Sequence, residues 1–166
     1  MSVNAEIQVI CDGDSIPDAG LFQRWVEAAV GKQRQQAEVT IRVVDAEESR
    51  QLNQHYRDRD SATNVLAFPL DVPDFVDETP LGDLVICRPV VEREAREQGK
   101  PVQAHWAHMV VHGTLHLLGH DHQDPDQASA MEALEVQILG SLGYPDPYWT
   151  GDLTVPPVVR TEDGAP

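Results

Sequence analysis

The stretch HGTLHLLGHDH, His112 to His122, holds four of the chain's seven histidines. Its histidines are interleaved with Thr, Leu and Gly, which marks a packed segment rather than a solvent-exposed histidine run. Together with the residues before it, VQAHWAHMVVHGTLHLLG (102–119), it reads as a largely apolar helix, buried on most sides. Residues four apart on a helix lie about 40° apart around the axis and one turn along it, so His112 and His116 can aim both imidazoles at one ion. Gly119 can adopt the left-handed backbone that ends a helix and reverses the chain. That turn brings His122 back toward the same ion from outside the helix. Three neutral nitrogen donors leave a fourth tetrahedral position for water, the arrangement of a catalytic rather than a structural zinc site.

Other readings of these histidines compete. His108 and His112 also have i,i+4 spacing. His105 and His108 lack a following glycine turn and a third histidine within reach, and are read as packing residues or as hydrogen-bond partners of ligands. His120 is read as exposed, and Asp121, beside a ligand, could orient an imidazole. The plainest alternative for the triad is three unrelated core histidines. The spacing H-x3-H-x2-G-x2-H is also that of metzincin proteases, but Gly113 stands where those enzymes carry the glutamate that serves as general base. A protease reading therefore lacks its proton acceptor.

The rest of the chain predicts one domain over residues 1–149 and a Pro-rich, acidic, disordered tail over 150–166. EIQVICD (6–12) and EVTIRVVD (38–45) have strand-like spacing of β-branched residues. Between them a helix places Leu21, Trp25, Val26 and Ala29 on one face, and a second helix over AEESRQLNQHYRDRD pairs Leu52 with Tyr56. TNVLAFPL and GDLVICR are short strands flanking an acidic loop, and PVVEREAREQG has Pro and Gly at opposite ends of a helix. The last helix starts with Asp124 as N-cap and Pro125 behind it, with Met131, Leu134, Val136, Ile138 and Leu142 supplying its apolar face. The expected class is α+β: a small mixed β-sheet packed against several helices, with the metal site at the end of a buried helix.

No apolar run reaches the roughly 18 residues of a membrane span, and the N-terminus lacks the basic and apolar regions of a signal peptide. A cytoplasmic protein is expected, with Cys11 and Cys87 as small buried strand residues rather than a disulfide. Twelve basic residues against 28 acidic ones give a net charge of −16, which excludes a surface that binds polyanions non-specifically. A nucleic-acid substrate must then be held by a local basic cluster. Arg57 and Arg59 in YRDRD are candidates; Lys32, Arg34, Arg93, Arg96 and Lys100 could extend a track or could be solvated helix charges.

HGTLHLLGHDH resembles the H-G-x-L-H-L-x-G-[aromatic or His]-D-H signature of the YbeY family, bacterial metal-dependent endoribonucleases and ribosomal RNA maturation factors. LNQHYRDRDSATNVLAFPL (52–70) resembles the family's L-N-x-x-Y-R…T-[DN]-V-L-[ST]-F-P segment, and LGDLVIC (81–87) its L-G-D-I-x-I strand. The resemblance runs from about residue 38 to 149, with Ala67 where many members have Ser or Thr and His120 where many have Tyr. It implies one zinc ion bound by His112, His116 and His122, an important arginine at Arg57, and a metal lying in a surface cleft. Single-stranded or ribosomal RNA is the implied substrate, with ribosomal proteins or ribosome-associated factors as partners. Two functions follow from it: zinc-dependent, single-strand-specific cleavage in small-subunit ribosomal RNA maturation and ribosome quality control, or a non-catalytic, metal-stabilised assembly factor.

Overall fold

A computed structural model describes residues 2–10, 16–70, 80–120 and 124–148. Cys11, the acidic loop over 71–79, Asp121, His122 and the tail lie outside them. Among the described residues the elements run β1 (Ser2–Val9), α1 (Ala19–Val30), β2 (Gln36–Val44), α2 (Ala46–Arg57), β3 (Val65–Pro69), β4 (Pro80–Cys87), α3 (Arg88–Gln98), α4 (Val102–Leu117) and α5 (Pro125–Ser141). The four strands form one mixed sheet in the order β1-β2-β4-β3; β1 and β4 run parallel to β2, and β3 runs antiparallel to β4 at the edge. The α+β expectation holds.

Alternation along β2 sorts its side chains between two cores. Ala37, Val39, Ile41 and Val43 join Phe22, Trp25, Trp106, Val110 and Leu115 in the larger one. Val44 packs with Leu66, Val85, Cys87 and Val90 on the other side, under Leu52 of α2. Cys87 is buried, as expected of a small strand residue. In the larger core, Phe22 stands edge-on to Trp25 (5.6 Å between ring centroids) and to Trp106 (5.9 Å). Such pairs add about 0.5–1.5 kcal/mol each beyond area burial. They set the rotation of α4 against α1, and α4 also touches α3, α5, β3 and β4.

Three sequence expectations shift. β1 starts at Ser2 rather than near Glu6, because residues 2–9 pair in continuous register with residues 36–43 of β2. On α2 the apolar i,i+4 pair is not what is buried: Leu52 is partly buried, Tyr56 is 61% exposed, and the buried residues are Ser49 and Asn53. These two are polar because they tie the helix to the following segment. Ser49 Oγ donates to the Thr63 carbonyl and accepts from the Thr63 amide, both at 3.0 Å, and Asn53 Nδ2 donates to the Ser61 carbonyl at 2.8 Å. The buried face of α5 is Met131, Glu135, Val136 and Leu139, so an acidic residue not among those expected joins that face. Asp124 caps that helix as expected, accepting from the Gln127 amide at 2.8 Å.

Candidate metal centre

α4 carries the centre because its sequence leaves one opening. From His105 to Leu117 every residue is buried except His112 and His116, four apart and therefore on one face. Their rings lie 4.8 Å apart, centroid to centroid. The helix closes through a bond from the His120 amide to the Leu115 carbonyl at 3.0 Å and one from the Gly119 amide to the His116 carbonyl at 3.0 Å. Gly119 holds φ +100°, conformational space that a side chain disfavours. The turn expected after His116 is thus present, while His122 beyond it lies outside the described residues.

His112 and His116 open into a cleft of ≈ 500 Å³, whose wall also includes β3 residues Val65 to Phe68 and, at the end of α2, Tyr56 and Arg57. The Ser49 and Asn53 hydrogen bonds hold α2 to the segment leading into β3, and so place Arg57 across the cleft from the histidines. Among the described residues Arg57 makes no ion pair, whereas Arg42, Arg50, Arg88 and Arg93 are paired with Glu48, with Glu47 and Asp60, with Glu92 and with Glu97. In a chain of net charge −16, a guanidinium lining a cleft with two histidines is a local positive feature. Arg59 is not part of the cleft wall. Neither is the expected basic track: Arg93 is taken by Glu97, and half-buried Lys100 donates to the Pro147 carbonyl, its pKa lowered by burial against the opposing pull of Asp146 and Glu94.

Gly113 has a packing reason. A Cβ there would stand 2.7 Å from Leu84 Cδ2 and 3.3 Å from Val65 Cγ2, and Leu84 is fully buried. A side chain there would have to displace the buried Leu84, and the glutamate of a metzincin is absent from this position.

The remaining α4 histidines face inward. His105 Nε2 lies 2.9 Å from Glu94 Oε1, and Glu94 also accepts from Asn64 Nδ2 at 3.1 Å, which ties α4 to α3 and the start of β3. Burial raises the Glu94 pKa, but the hydrogen bonds from His105 and Asn64 outweigh it and the net shift is downward. His108 Nε2 lies 2.6 Å from Glu135 Oε1, and His112 Nδ1 lies 3.1 Å from Glu135 Oε2. Tyr148 donates its hydroxyl to Glu135 Oε1 at 2.8 Å. His120 reaches Gln33 Oε1 at 2.9 Å. Among the described residues, His108, His112 and Glu135 form a group that could hold a metal ion, offering one ligand atom each within 4.8 Å of one another.

Glu135 is the residue that sequence reasoning missed. The signal was available: Met131, Glu135 and Leu139 recur at i,i+4, so the acid stands in the apolar row of α5. A carboxylate there demands partners, and a histidine-rich helix supplies them.

A family model described as Endoribonuclease YbeY matches residues 13–143. Among solved structures, the chain is similar to the solution structure of TM1509 from Thermotoga maritima, at 26% identity over 86% of this chain and 99% of that one, with a TM-score of 0.53. No described helix is long and apolar enough to cross a membrane. With most of its length matched and a histidine- and arginine-lined cleft at the expected positions, the chain belongs to the YbeY endoribonuclease family.

Proposed function

We propose that this endoribonuclease is zinc-dependent and single-strand-specific, binds one zinc ion per chain through His112, His116 and His122, and acts in the cytoplasm in small-subunit ribosomal RNA maturation and ribosome quality control. The observation that carries this reading is the meeting of His112, His116 and Arg57 in one cleft. The donor set suits the ion: two imidazoles on one helical face, followed by a glycine turn toward a third, match zinc's preference for nitrogen ligands.

When bound there, the ion supplies Lewis-acid polarisation of a phosphoryl oxygen and a water of lowered pKa, without a carboxylate base. The chain's own residues do the rest. Arg57 holds a non-bridging phosphate oxygen with its planar fork and offsets the charge that grows on the phosphoryl group. Tyr56, exposed and edge-on to Phe68 at 5.0 Å between ring centroids, offers a ring on which an unpaired base stacks. Such stacking is open to single strands and is worth about 1–3 kcal/mol per base. The acidic surface elsewhere confines RNA to this cleft and attracts basic ribosomal proteins.

That same net charge of −16 favours a second reading, a metal-stabilised assembly factor that works by binding ribosomal components without cutting RNA. Purified protein incubated with a single-stranded RNA, with and without chelator, separates the two. Cleavage should stop on chelation, return with added zinc, and fall sharply on a duplex of the same sequence. Intact RNA under all conditions, alongside retained binding to ribosomal particles, would favour the assembly factor.

A further inference from the structure

Glu135 is 1% exposed, and a carboxylate so deeply buried is tolerated only when fully paired. Its two oxygens meet three groups: Oε1 is bonded to His108 Nε2 at 2.6 Å and accepts from the Tyr148 hydroxyl at 2.8 Å, and Oε2 is bonded to His112 Nδ1 at 3.1 Å. A carboxylate oxygen accepts hydrogen bonds, and an imidazole ring donates one through its N–H. The other His108 nitrogen, Nδ1, is buried without a hydrogen-bond partner among the described residues, as expected when the proton sits on Nε2.

A neutral imidazole has one proton, and the group that accepts it decides which nitrogen keeps a lone pair for a metal. We propose that Glu135 is the positioning residue of the metal centre: by accepting a hydrogen bond from His112 Nδ1–H, it fixes the tautomer whose Nε2, across the ring, carries the lone pair. His108 and Tyr148 hold the carboxylate in place by donating to its other oxygen. This rests on the assignment of His112 as a ligand made above. It differs from the reading in which Glu135 binds the ion itself together with His108. That alternative requires the carboxylate to exchange hydrogen-bond partners for the ion, and His112 to surrender the Nδ1 proton.

Two measurements test the proposal. The first uses the metal-free wild-type protein, above the pH range in which imidazoles titrate, and reads each ring's tautomer from its nitrogen chemical shifts by NMR. His112 should be protonated at Nδ1 and His108 at Nε2; a His112 ring protonated at Nε2 would overturn the proposal whatever any variant does. The second is zinc affinity by competition with a chromogenic chelator. Glu135→Gln presents an amide donor to one of the rings and should bind zinc about 10- to 100-fold more weakly, still at one ion per chain when saturated. Wild-type affinity in a folded Glu135→Gln protein would overturn the positioning role. His108→Gln keeps a donor toward Glu135 and should stay within a few-fold of wild type, and its complete loss of zinc would instead make His108 and Glu135 ligands. Retained zinc in His116→Ala would count against the ligand assignment and leave the tautomer result standing on its own.

Discussion

Arg57→Glu should abolish RNA cleavage while zinc content and melting temperature stay at wild-type values. Arg57 is the last residue of α2, is exposed, and makes no ion pair among the described residues, so its replacement disturbs no packing. What changes is the cleft. A carboxylate there would repel the phosphate backbone as well as remove the proposed contact to the phosphoryl oxygen. Loss of one preorganised contact of this kind typically costs about 3–4 kcal/mol, a hundredfold to a thousandfold in rate, and the reversed charge adds to it. Arg57→Lys should fall between, because an ammonium keeps the charge but not the bidentate fork. Arg59→Glu should do much less, since Arg59 does not line the cleft. Single-turnover cleavage rates of one single-stranded RNA, read with zinc content, check all three. Wild-type cleavage by Arg57→Glu would remove it from the active site, and loss of zinc would make its role structural.

The largest effect on stability is expected at Gly82. It sits in β4 at φ +140°, beside a register shift between Glu38 and Val39 of β2. A Cβ there would meet the Phe68 carbonyl oxygen at 2.2 Å and Pro69 Cα at 3.0 Å. Both are backbone atoms of β3 and cannot swing aside as a side chain would. Backbone strain and overpacking together put the cost of Gly82→Ala at about 3–5 kcal/mol, or roughly 10–15 °C in Tm for a domain of this size. Gly140→Ala is the control: nothing lies within 4 Å of a Cβ at that helical position, and it should stabilise by about 0.5–1 kcal/mol. Thermal unfolding followed by circular dichroism measures both. A Gly82→Ala protein that melts with the wild type would show that the close approach of β3 to β4 is readily relieved.

How far the fold could be read from sequence depends on what each residue answers to. The α1 and α4 helices and the central strands were legible because Trp25, Val26, Ile41 and Leu84 follow the periodicity of the core they fill. The Gly119 turn was legible because glycine after a histidine-bearing helix has a local backbone reason. The α2 face was not: Ser49 and Asn53 are buried to satisfy backbone groups at residues 61–63, partners that the residues of α2 do not announce. Tyr56, read from spacing only as the i,i+4 partner of Leu52, is an exposed wall of the cleft. In the site, His112, His116 and Arg57 could be named from motif and spacing, and the structure brings them into one cleft. Glu135 could not be paired with His112 from sequence, because a separation of 23 positions says nothing of how α5 lies on α4.

The most direct test is zinc per chain in His116→Ala, measured by elemental analysis beside His112→Ala and the wild type. His116 belongs to the proposed ligand set and not to the group of His108, His112 and Glu135. If the ion sits at the cleft on His112, His116 and His122, wild-type protein carries about one zinc and both variants lose it together with RNA cleavage. Full zinc retention in His116→Ala would contradict that assignment and move the ion to the buried His108 and Glu135 side of α4.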